Sequence, residues 1–325
     1  MCTAIHLPGQ PHLFGRTLDL ENNCGASIVI TPRTFDLALP SPPQAPAATA
    51  LLGVARLENG QPLYFDAINE HGLGMAALHF PGNAVYLPPR ADRHNVPSYA
   101  LIPWVLHHCQ TLTQARELLQ KTNVTAAAFC DALPPSPLHW MLAAADGALV
   151  IEPTSDGLQL YENPSGVLTN NPPFPYHTAH LDDVRHLTPD SFADAYSKGL
   201  GAVGLPGDFS SASRFVRAAF VKRNLLAGDT PTEQITQFFH LMDAISVPRG
   251  CVRDTQGTPF FTQYTTCADT QNGVYYFKTH QNNRIRAVRL SDFDPNATTP
   301  FCVTMDGEQD FTFLTDTSKK ANENH

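Results

Sequence analysis

The sequence predicts an α+β protein in which two antiparallel sheets are sandwiched between layers of helices. Two series of short apolar segments, separated by turn residues such as Asp-Gly and Asn-Gly, cover residues 139–170 and 261–290. Such series are typical of antiparallel hairpins. Segments with apolar residues at helical spacing are grouped between and before them. Strands and helices that are grouped in this way favour a layered α+β architecture.

The strand predictions rest on apolar, β-branched segments and on the turns that separate them. Residues 26–33 (ASIVITPR) form one predicted strand, and residues 61–80 contain two more, divided by a turn near Gly72. The turns of the two hairpin series lie at Asp146-Gly147, Asp156-Gly157, 163–166 and Asn272-Gly273. We therefore expect residues 139–170 to form one meander and residues 261–290 to form a second.

The helix predictions rest on periodicity and on one capping signal. Thr230 and Glu233 form a capping box with Pro231 at the first helical position. The apolar residues that follow lie on one helical face: Ile235, Phe238, Phe239, Met242 and Ile245. The other predicted helices cover residues 97–108, 113–122 and 211–226.

The length allows either one large domain or two ordinary ones, since the chain has 325 residues. No internal repeat and no composition change marks a boundary. We therefore expect a single domain over residues 1–315, followed by a polar tail over residues 316–325.

Charge and composition exclude several classes of partner. The formal net charge is -9, and the chain contains no Lys- or Arg-rich run, which argues against binding to nucleic acids or acidic membranes. The start lacks the apolar core of a signal peptide, and no apolar run approaches 18 residues, so we expect no membrane span. The seven cysteines are scattered, odd in number and never in a CxxC pair, which favours a reducing cytoplasm.

The first residues, MCTAI, suggest a catalytic cysteine. Removal of Met1 would leave Cys2 with both a thiol and a free α-amine. An acyl-transfer enzyme needs a nucleophile and a base, and an α-amine titrates near pH ~8, so it is partly neutral at working pH. Arg16 could supply the cation that favours a thiolate, and Asp19 could orient the α-amine.

The spacing of Arg16 and Asp19 places a condition on this hypothesis. Residues three apart face opposite sides of a regular strand. We therefore expect the strand that starts at His12 to end or bulge within residues 17–19 if both side chains are to reach Cys2. The alternative is a surface Arg–Asp pair of negligible energetic value.

Ordered motifs along the chain resemble the choloylglycine hydrolase family, which comprises bile salt hydrolases and penicillin V acylases. The motifs are MCTAI, FGRTLDLE, NEHGLGMAALHFPGNAVY, LHWML, GVLTNNPPF, VGLPGDFSSASRFVRAAF and TQYTTC. The resemblance implies the αββα sandwich of N-terminal-nucleophile (Ntn) hydrolases, a homotetramer, and hydrolysis of a small-molecule amide without a cofactor. It also implies that Cys2 is the nucleophile, with Arg16 and Asp19 beside it. Asn170 would donate to the oxyanion, and Arg214, rather than Arg217, would be the second active-site arginine.

One position departs from the family pattern. Bile salt hydrolases usually have asparagine, and penicillin V acylases often tyrosine, where this chain has His79. A neutral histidine can still donate one N–H to an oxyanion. The FPGN segment that follows His79 favours a glycine- or taurine-conjugated bile salt over penicillin V or an N-acyl homoserine lactone. Leu18, Phe65 and the loop from Phe129 to Leu138 are the expected walls of an apolar substrate pocket.

Two other classes of function compete with an amidohydrolase. The histidines could bind a metal, because His177 and His180 share a helical face, with His186 downstream and a His107-His108-Cys109 run elsewhere. However, four ligands at a fixed spacing are missing, so we expect no metal site. The remaining alternative is a catalytically inactive relative that binds acylated small molecules and does not need a free Cys2 amine.

Overall fold

The computed structural model of the protein describes residues 1–22, 24–39, 48–191 and 199–314. The polar tail expected over residues 316–325 lies outside the described residues. Strands, in chain order, are β1 Cys2–Leu7, β2 Leu13–Leu20, β3 Ser27–Thr31, β4 Leu51–Glu58, β5 Gln61–Asn69, β6 Gly74–His79, β7 His94–Pro97, β8 Thr122–Thr125, β9 Leu138–Ala144, β10 Gly147–Thr154, β11 Gly157–Glu162, β12 Val167–Leu168, β13 Val252–Arg253, β14 Pro259–Asp269, β15 Val274–Thr279, β16 Arg286–Arg289 and β17 Phe301–Thr304. Helices are α1 Leu101–His108, α2 Leu112–Gln120, α3 Phe174–Asp183, α4 Ser211–Asn224 and α5 Pro231–Asp243, with 3₁₀ turns at Ser98–Ala100 and Leu290–Asp292.

Two antiparallel sheets contain most of the strands. The first sheet has the order β12-β1-β2-β14-β15-β16, with β13 paired to β14, and the second has the order β11-β10-β9-β6-β5-β4-β3-β17. The short strands β7 and β8 form a separate parallel pair. Strand β1 therefore lies inside the first sheet, between β2 and β12.

Helices cover the outer faces of the two sheets. On the first sheet, α4 packs against β1 and β12, and α5 packs against β2 and β14. On the second sheet, α1 packs against β5 and β6. One apolar core joins residues of both sheets, for example Ile5 and Leu78, and another joins Met75 of the second sheet to Trp104 of α1. This four-layer αββα arrangement confirms the predicted fold class.

Most predicted elements are present with small shifts at their ends. The capping box at Thr230 forms, since its side chain accepts from the Glu233 N–H and the Glu233 carboxylate accepts from the Thr230 N–H. Helix α2 begins one residue before the predicted position because Thr111 caps it by accepting from the N–H of Gln114. Helix α4 ends at Asn224, two residues before the predicted end.

The first predicted meander is wrong in its last strand. Strands β9, β10 and β11 form hairpins in the second sheet, but the chain then crosses to the first sheet, where β12 pairs with β1. The two-residue strand β12 is followed by a helix, α3, that the sequence did not predict. This crossing brings residues 169 and 170 next to the start of β1. Among the described helices, none is long and apolar enough to cross a membrane.

Candidate active site

Cys2 is the first residue of β1 and is almost fully buried, with 2% of its surface exposed. It lies directly opposite Leu18 of β2. Its backbone nitrogen donates to Oδ1 of Asn170 at 2.8 Å. The backbone of the preceding residue, Met1, continues the pairing with β2, because the Met1 amine donates to the Asp19 carbonyl at 2.7 Å and the Asp19 N–H donates to the Met1 carbonyl at 2.9 Å.

Arg16 lies on the same face of the sheet as Cys2, between the two sheets. Its guanidinium donates to the carbonyls of Phe65 and Ala77 in the second sheet, at 3.1 and 2.7 Å from Nη1. The second terminal nitrogen, Nη2, is buried and has no hydrogen-bond partner among the described residues. Desolvation opposes the charge of this buried group, but the negative charge of Cys2, followed by those of Tyr264 and the carboxylates, raises the pKa of Arg16. The result is a permanent cation with one unused donor group.

Asp19 lies on the opposite face of β2, towards the helices. Its Oδ1 accepts from the Thr262 hydroxyl at 2.7 Å, whereas Oδ2 is buried without a partner among the described residues. The expectation that β2 ends or bulges within residues 17–19 is wrong. Strand β2 continues to Leu20, and the register shift lies in the facing strand β14, between Thr262 and Tyr264. Arg16 and Asp19 therefore project from opposite faces of the regular strand β2, which pairs with β1.

Arg214 approaches β1 from the helical layer. It lies in the first turn of α4 and is fully buried. Its Nη1 donates to the Cys2 carbonyl and to the Thr3 hydroxyl, both at 2.6 Å, and its Nη2 donates to Asn170 Oδ1 at 2.8 Å. Burial lowers the pKa of Arg214, and the negative charges of Asp19 and Cys2 oppose that shift. The guanidinium thus joins the backbone of β1 to the side chain of Asn170.

Asn170 connects Cys2 to two other elements, α4 and β6. Its Oδ1 accepts from the Cys2 N–H and from Arg214, as described above. Its Nδ2 donates to the His79 carbonyl at 2.7 Å, and its backbone N–H donates to the Ser211 hydroxyl at 2.8 Å. An amide nitrogen has two hydrogens, so the second hydrogen on Nδ2 is available for a further acceptor.

His79 reaches the site through its backbone. It is the last residue of β6, its carbonyl accepts from Asn170, and its side chain is exposed. None of the hydrogen bonds found among the described residues joins the His79 imidazole to Cys2 or Asn170. Desolvation by neighbouring groups, followed by the nearby positive N-terminus, lowers the pKa of His79 below 6.5. The ring is therefore neutral at pH 7 and has one N–H donor.

The structure does not bring the four residues expected to line a substrate pocket into one cluster: Leu18 belongs to the apolar core that contains Cys2 and Phe65 packs against it, whereas Leu138 packs against the other core. Leu18 pairs directly with Cys2 and is buried, and Phe65 is half-buried, with its carbonyl bonded to Arg16. Leu138 pairs directly with His79, so both side chains project from the same face of the second sheet. Phe129 lies in the preceding loop with its ring edge-on to Tyr99, at 5.3 Å between centroids.

A buried carboxylate behind Arg16 was missed by the sequence analysis. Asp66 in β5 accepts hydrogen bonds from the Tyr264 hydroxyl at 3.0 Å, from the Thr266 hydroxyl at 3.3 Å and from the Tyr275 hydroxyl. Burial raises the pKa of Asp66, while the charge of Arg16 and these hydroxyls oppose the shift. The sequence signal was an aspartate inside an otherwise apolar strand, where an unpaired charge is costly.

Three of the histidines considered as metal ligands, His177, His107 and His108, make hydrogen bonds within the protein. His177 donates from Nε2 to the Asn170 carbonyl at 2.9 Å. His107 and His108 contact the carbonyls of Thr49 and Trp104 through Nδ1, at 3.1 and 2.8 Å. In the described part of the chain, no group of three or more His, Cys, Asp or Glu side chains is placed to hold a metal ion.

Two stacked antiparallel sheets between helical layers, with a cysteine at the start of an inner strand of one sheet, define an N-terminal-nucleophile hydrolase. The chain belongs to the choloylglycine hydrolase family of linear amide C–N hydrolases, whose family model matches residues 2–303. This finding confirms the resemblance seen in the sequence motifs. The protein is therefore a C–N amide hydrolase.

Individual relatives and solved structures agree with this assignment. A bile salt hydrolase/transferase of Lactiplantibacillus plantarum is 40% identical over 300 residues, which are 90% of this chain and 93% of the relative. A bile salt hydrolase/transferase of Clostridium perfringens is 33% identical over 305 residues, with coverages of 90% and 93%. The crystal structure of a variant conjugated bile acid hydrolase from Clostridium perfringens aligns with a TM-score of 0.89 at 30% identity and covers 97% of this chain and 100% of its own. Penicillin V acylase from Agrobacterium tumefaciens has the same fold, with a TM-score of 0.73 at 19% identity and coverages of 92% and 90%.

Proposed function

We propose that the protein hydrolyses the amide bond of glycine- or taurine-conjugated bile salts, with Cys2 as the nucleophile. The observation that carries the proposal is the position of Cys2, whose nitrogen bonds to Asn170 and whose carbonyl bonds to Arg214, inside a chain similar to bile salt hydrolases. A buried cysteine at the start of β1 with two arginines beside it is suited to nucleophilic catalysis rather than to packing.

Each residue of the site has a role in this mechanism. The Cys2 thiolate attacks the amide carbonyl carbon after its proton passes to the α-amine, and the second hydrogen of Asn170 Nδ2 stabilises the oxyanion. The C–N bond then breaks, and the leaving amine takes the proton from the α-ammonium. Water, activated by the same amine, hydrolyses the thioester and releases the carboxylate. Arg16 and Arg214 supply positive charge on the two faces of β1, and Asp19 balances the charge beside Arg214.

The substrate class is the finer part of the proposal. Both cited relatives are named for bile salts. Leu18, Phe65, Phe129 and Leu138 are the apolar walls that we propose for a steroid body. The alternatives within the family are penicillin V and N-acyl homoserine lactones. A catalytically inactive relative that binds acylated small molecules is a further alternative.

An amine-release assay across these substrates tests the function. We expect release of glycine or taurine from conjugated bile salts with a kcat/KM at least about tenfold above that for penicillin V or an acyl homoserine lactone, since about 1.4 kcal/mol of selective binding gives that factor. Preferential hydrolysis of penicillin V would replace the bile salt assignment. If protein that lacks Met1 releases no amine from any of these substrates, the assignment becomes the catalytically inactive relative.

The base in this mechanism exists only if Met1 is removed. Cleavage after Met1 would convert the Cys2 N–H that bonds to Asn170 Oδ1 into an α-amine already seated on that acceptor. We expect intact-mass spectrometry of active protein to give the mass of a chain that begins at Cys2. Full activity in a sample that retains Met1 would contradict the role of the α-amine.

We propose that the His79 ring also contributes a donor to the oxyanion. His79→Ala should then lower kcat by about 10²-fold with little effect on KM, and His79→Asn should restore much of the loss. Because the pKa of His79 is lowered, wild-type activity should change with pH only in the range below pH 6.5. The asparagine variant should not show this change. A change confined to KM and substrate preference would instead mean that the exposed ring only shapes the pocket.

We also propose that residues 1–315 form one domain and that the enzyme is a cytoplasmic homotetramer. The shared core between the two sheets supports the single domain, and seven unpaired cysteines support a reducing compartment. Light scattering coupled to size exclusion measures the oligomeric state, and a monomer at micromolar concentration would contradict the tetramer.

A further inference from the structure

Two buried histidines contact the backbone carbonyls of two successive residues, Thr169 and Asn170. The pairing of β12 with β1 ends at Leu168, so the carbonyls of Thr169 and Asn170 lie beyond the sheet. His139 Nε2 lies 2.8 Å from the Thr169 carbonyl, and His177 Nε2 lies 2.9 Å from the Asn170 carbonyl. Both histidines are fully buried. Imidazole donors therefore replace strand partners at the point where the chain enters the active site.

The two ring nitrogens of His139 contact different partners. Its Nδ1 lies 3.1 Å from Oε1 of Glu152, a fully buried carboxylate in β10. A carbonyl has no proton to give, so Nε2 carries one proton for Thr169. A second proton lies between Nδ1 and Oε1. The same Oε1 accepts from the Phe174 N–H at 2.9 Å, at the first residue of α3.

Packing fixes the orientation of the His139 ring. The second carboxyl oxygen of Glu152, Oε2, is buried without a hydrogen-bond partner among the described residues, so Oε1 alone joins the ring to the start of α3. Phe80, the residue after His79, stacks on the His139 ring at 4.2 Å between centroids and an interplanar angle of 5°. The ring is thus fixed on one face by packing and at both nitrogens by hydrogen bonds.

We propose that this pair, His139 and Glu152, positions the Asn170 amide for catalysis. The His139 ring holds the Thr169 carbonyl, the Glu152 carboxyl group holds the start of α3, and the residues between them form the segment that carries Asn170. Neither residue contacts Cys2, so both are positioning residues and not catalytic ones. Removing one member leaves the other as a buried polar group without its partner, so the two act as a unit. The inference rests on the proposed function, since it concerns the placement of Asn170 in that mechanism.

Two amide substitutions at residue 139 separate the two contacts. In His139→Gln the amide nitrogen reaches the place of Nε2 and can donate to Thr169, whereas in His139→Asn it reaches the place of Nδ1 and can donate only to Glu152. Displacement of a catalytic group by about 1 Å costs about 10²-fold in rate. We expect His139→Asn to lose about that factor in kcat with little change in KM, and His139→Gln to retain at least about tenfold more activity than His139→Asn. The control is His180→Gln on α3, the helix whose start contacts Glu152; its partly exposed ring stacks on Tyr176, and the variant should keep wild-type kcat.

Equal kcat values in the two variants, wild-type kcat in both, or a loss confined to KM would overturn the positioning role. Neutron diffraction from crystals of the unmodified enzyme tests the pair even if both variants fail to fold. We expect one deuteron on Nε2 of His139, directed at the Thr169 carbonyl, and another between Nδ1 and Oε1 of Glu152, and a ring without a deuteron on Nε2 would contradict the pair. This measurement needs no substrate. A wild-type enzyme that fails to cleave bile salts would therefore contradict the proposed function and leave the hydrogen-bonded pair in place.

Discussion

Replacement of Cys2 by alanine is expected to leave a folded protein whose kcat for amide hydrolysis falls by more than about 10⁴-fold, the scale found when a covalent nucleophile is removed. The side chain is small and buried, so the change in unfolding free energy should stay near about 1 kcal/mol. Thermal unfolding by circular dichroism would confirm the fold, and steady-state amine release would measure the loss. Cys2→Ser should behave similarly, because a hydroxyl is far less acidic than a thiol.

The matched controls are the other six cysteines. Cys109 and Cys267 are buried like Cys2, but burial raises the pKa of Cys109 to about 12 and raises that of Cys267 well above its usual value. Their thiols are therefore neutral and unreactive. Single alanine or serine substitutions at Cys24, Cys109, Cys130, Cys251, Cys267 and Cys302 should retain activity. Normal turnover by Cys2→Ala, or inactivation by one of these controls without unfolding, would exclude the proposed nucleophile.

Arg214→Lys is expected to lower kcat by about 10²-fold although the charge is kept. Arg214 contacts the Cys2 carbonyl, the Thr3 hydroxyl and Asn170 Oδ1 with two terminal nitrogens, and a single ammonium cannot span these three acceptors. Misplacement of Asn170 by about 1 Å is sufficient for a loss of this size. Steady-state kinetics on one conjugated bile salt gives the value.

Arg217→Lys is the control for Arg214→Lys, because Arg217 lies on the same helix but bonds to the carbonyls of Ala244, Pro206 and Asp208. This variant should lose stability without a comparable loss of kcat. Arg16→Lys should resemble Arg214→Lys, since the planar group of Arg16 bridges two carbonyls and keeps Nη2 free of a protein partner among the described residues. Equal kcat values for Arg214→Lys and Arg217→Lys would assign both arginines to structure alone.

Local patterns predicted the fold class because its signals are short in range. The turn at Asn272-Gly273 and the capping box at Thr230 each depend on residues within a few positions, and both form as expected. The crossing of β12 to the first sheet could not be predicted in this way. Its two residues pair with β1, more than 160 positions earlier, and nothing in their own pattern selects that partner.

The candidate site shows the same division. The position of Cys2 behind Met1 selected the nucleophile, motif resemblance selected Arg214 and Asn170, and the structure connects the three by direct hydrogen bonds. The residues that support them, such as Asp66 and His139, were missed because a buried polar group is recognised by its partners, which come from distant strands. The predicted bulge in β2 failed for a related reason, since the irregularity belongs to the facing strand β14.

The central claim, that the Cys2 thiol performs the reaction, is tested most directly by stoichiometric alkylation followed by peptide mapping. The exposed cysteines Cys251 and Cys302 are first replaced by serine, so that reaction at exposed thiols does not compete. We predict that one equivalent of iodoacetamide modifies the N-terminal peptide that contains Cys2, that activity falls in proportion to this modification, and that a conjugated bile salt slows both. Full activity in protein whose Cys2 is completely alkylated would contradict the account.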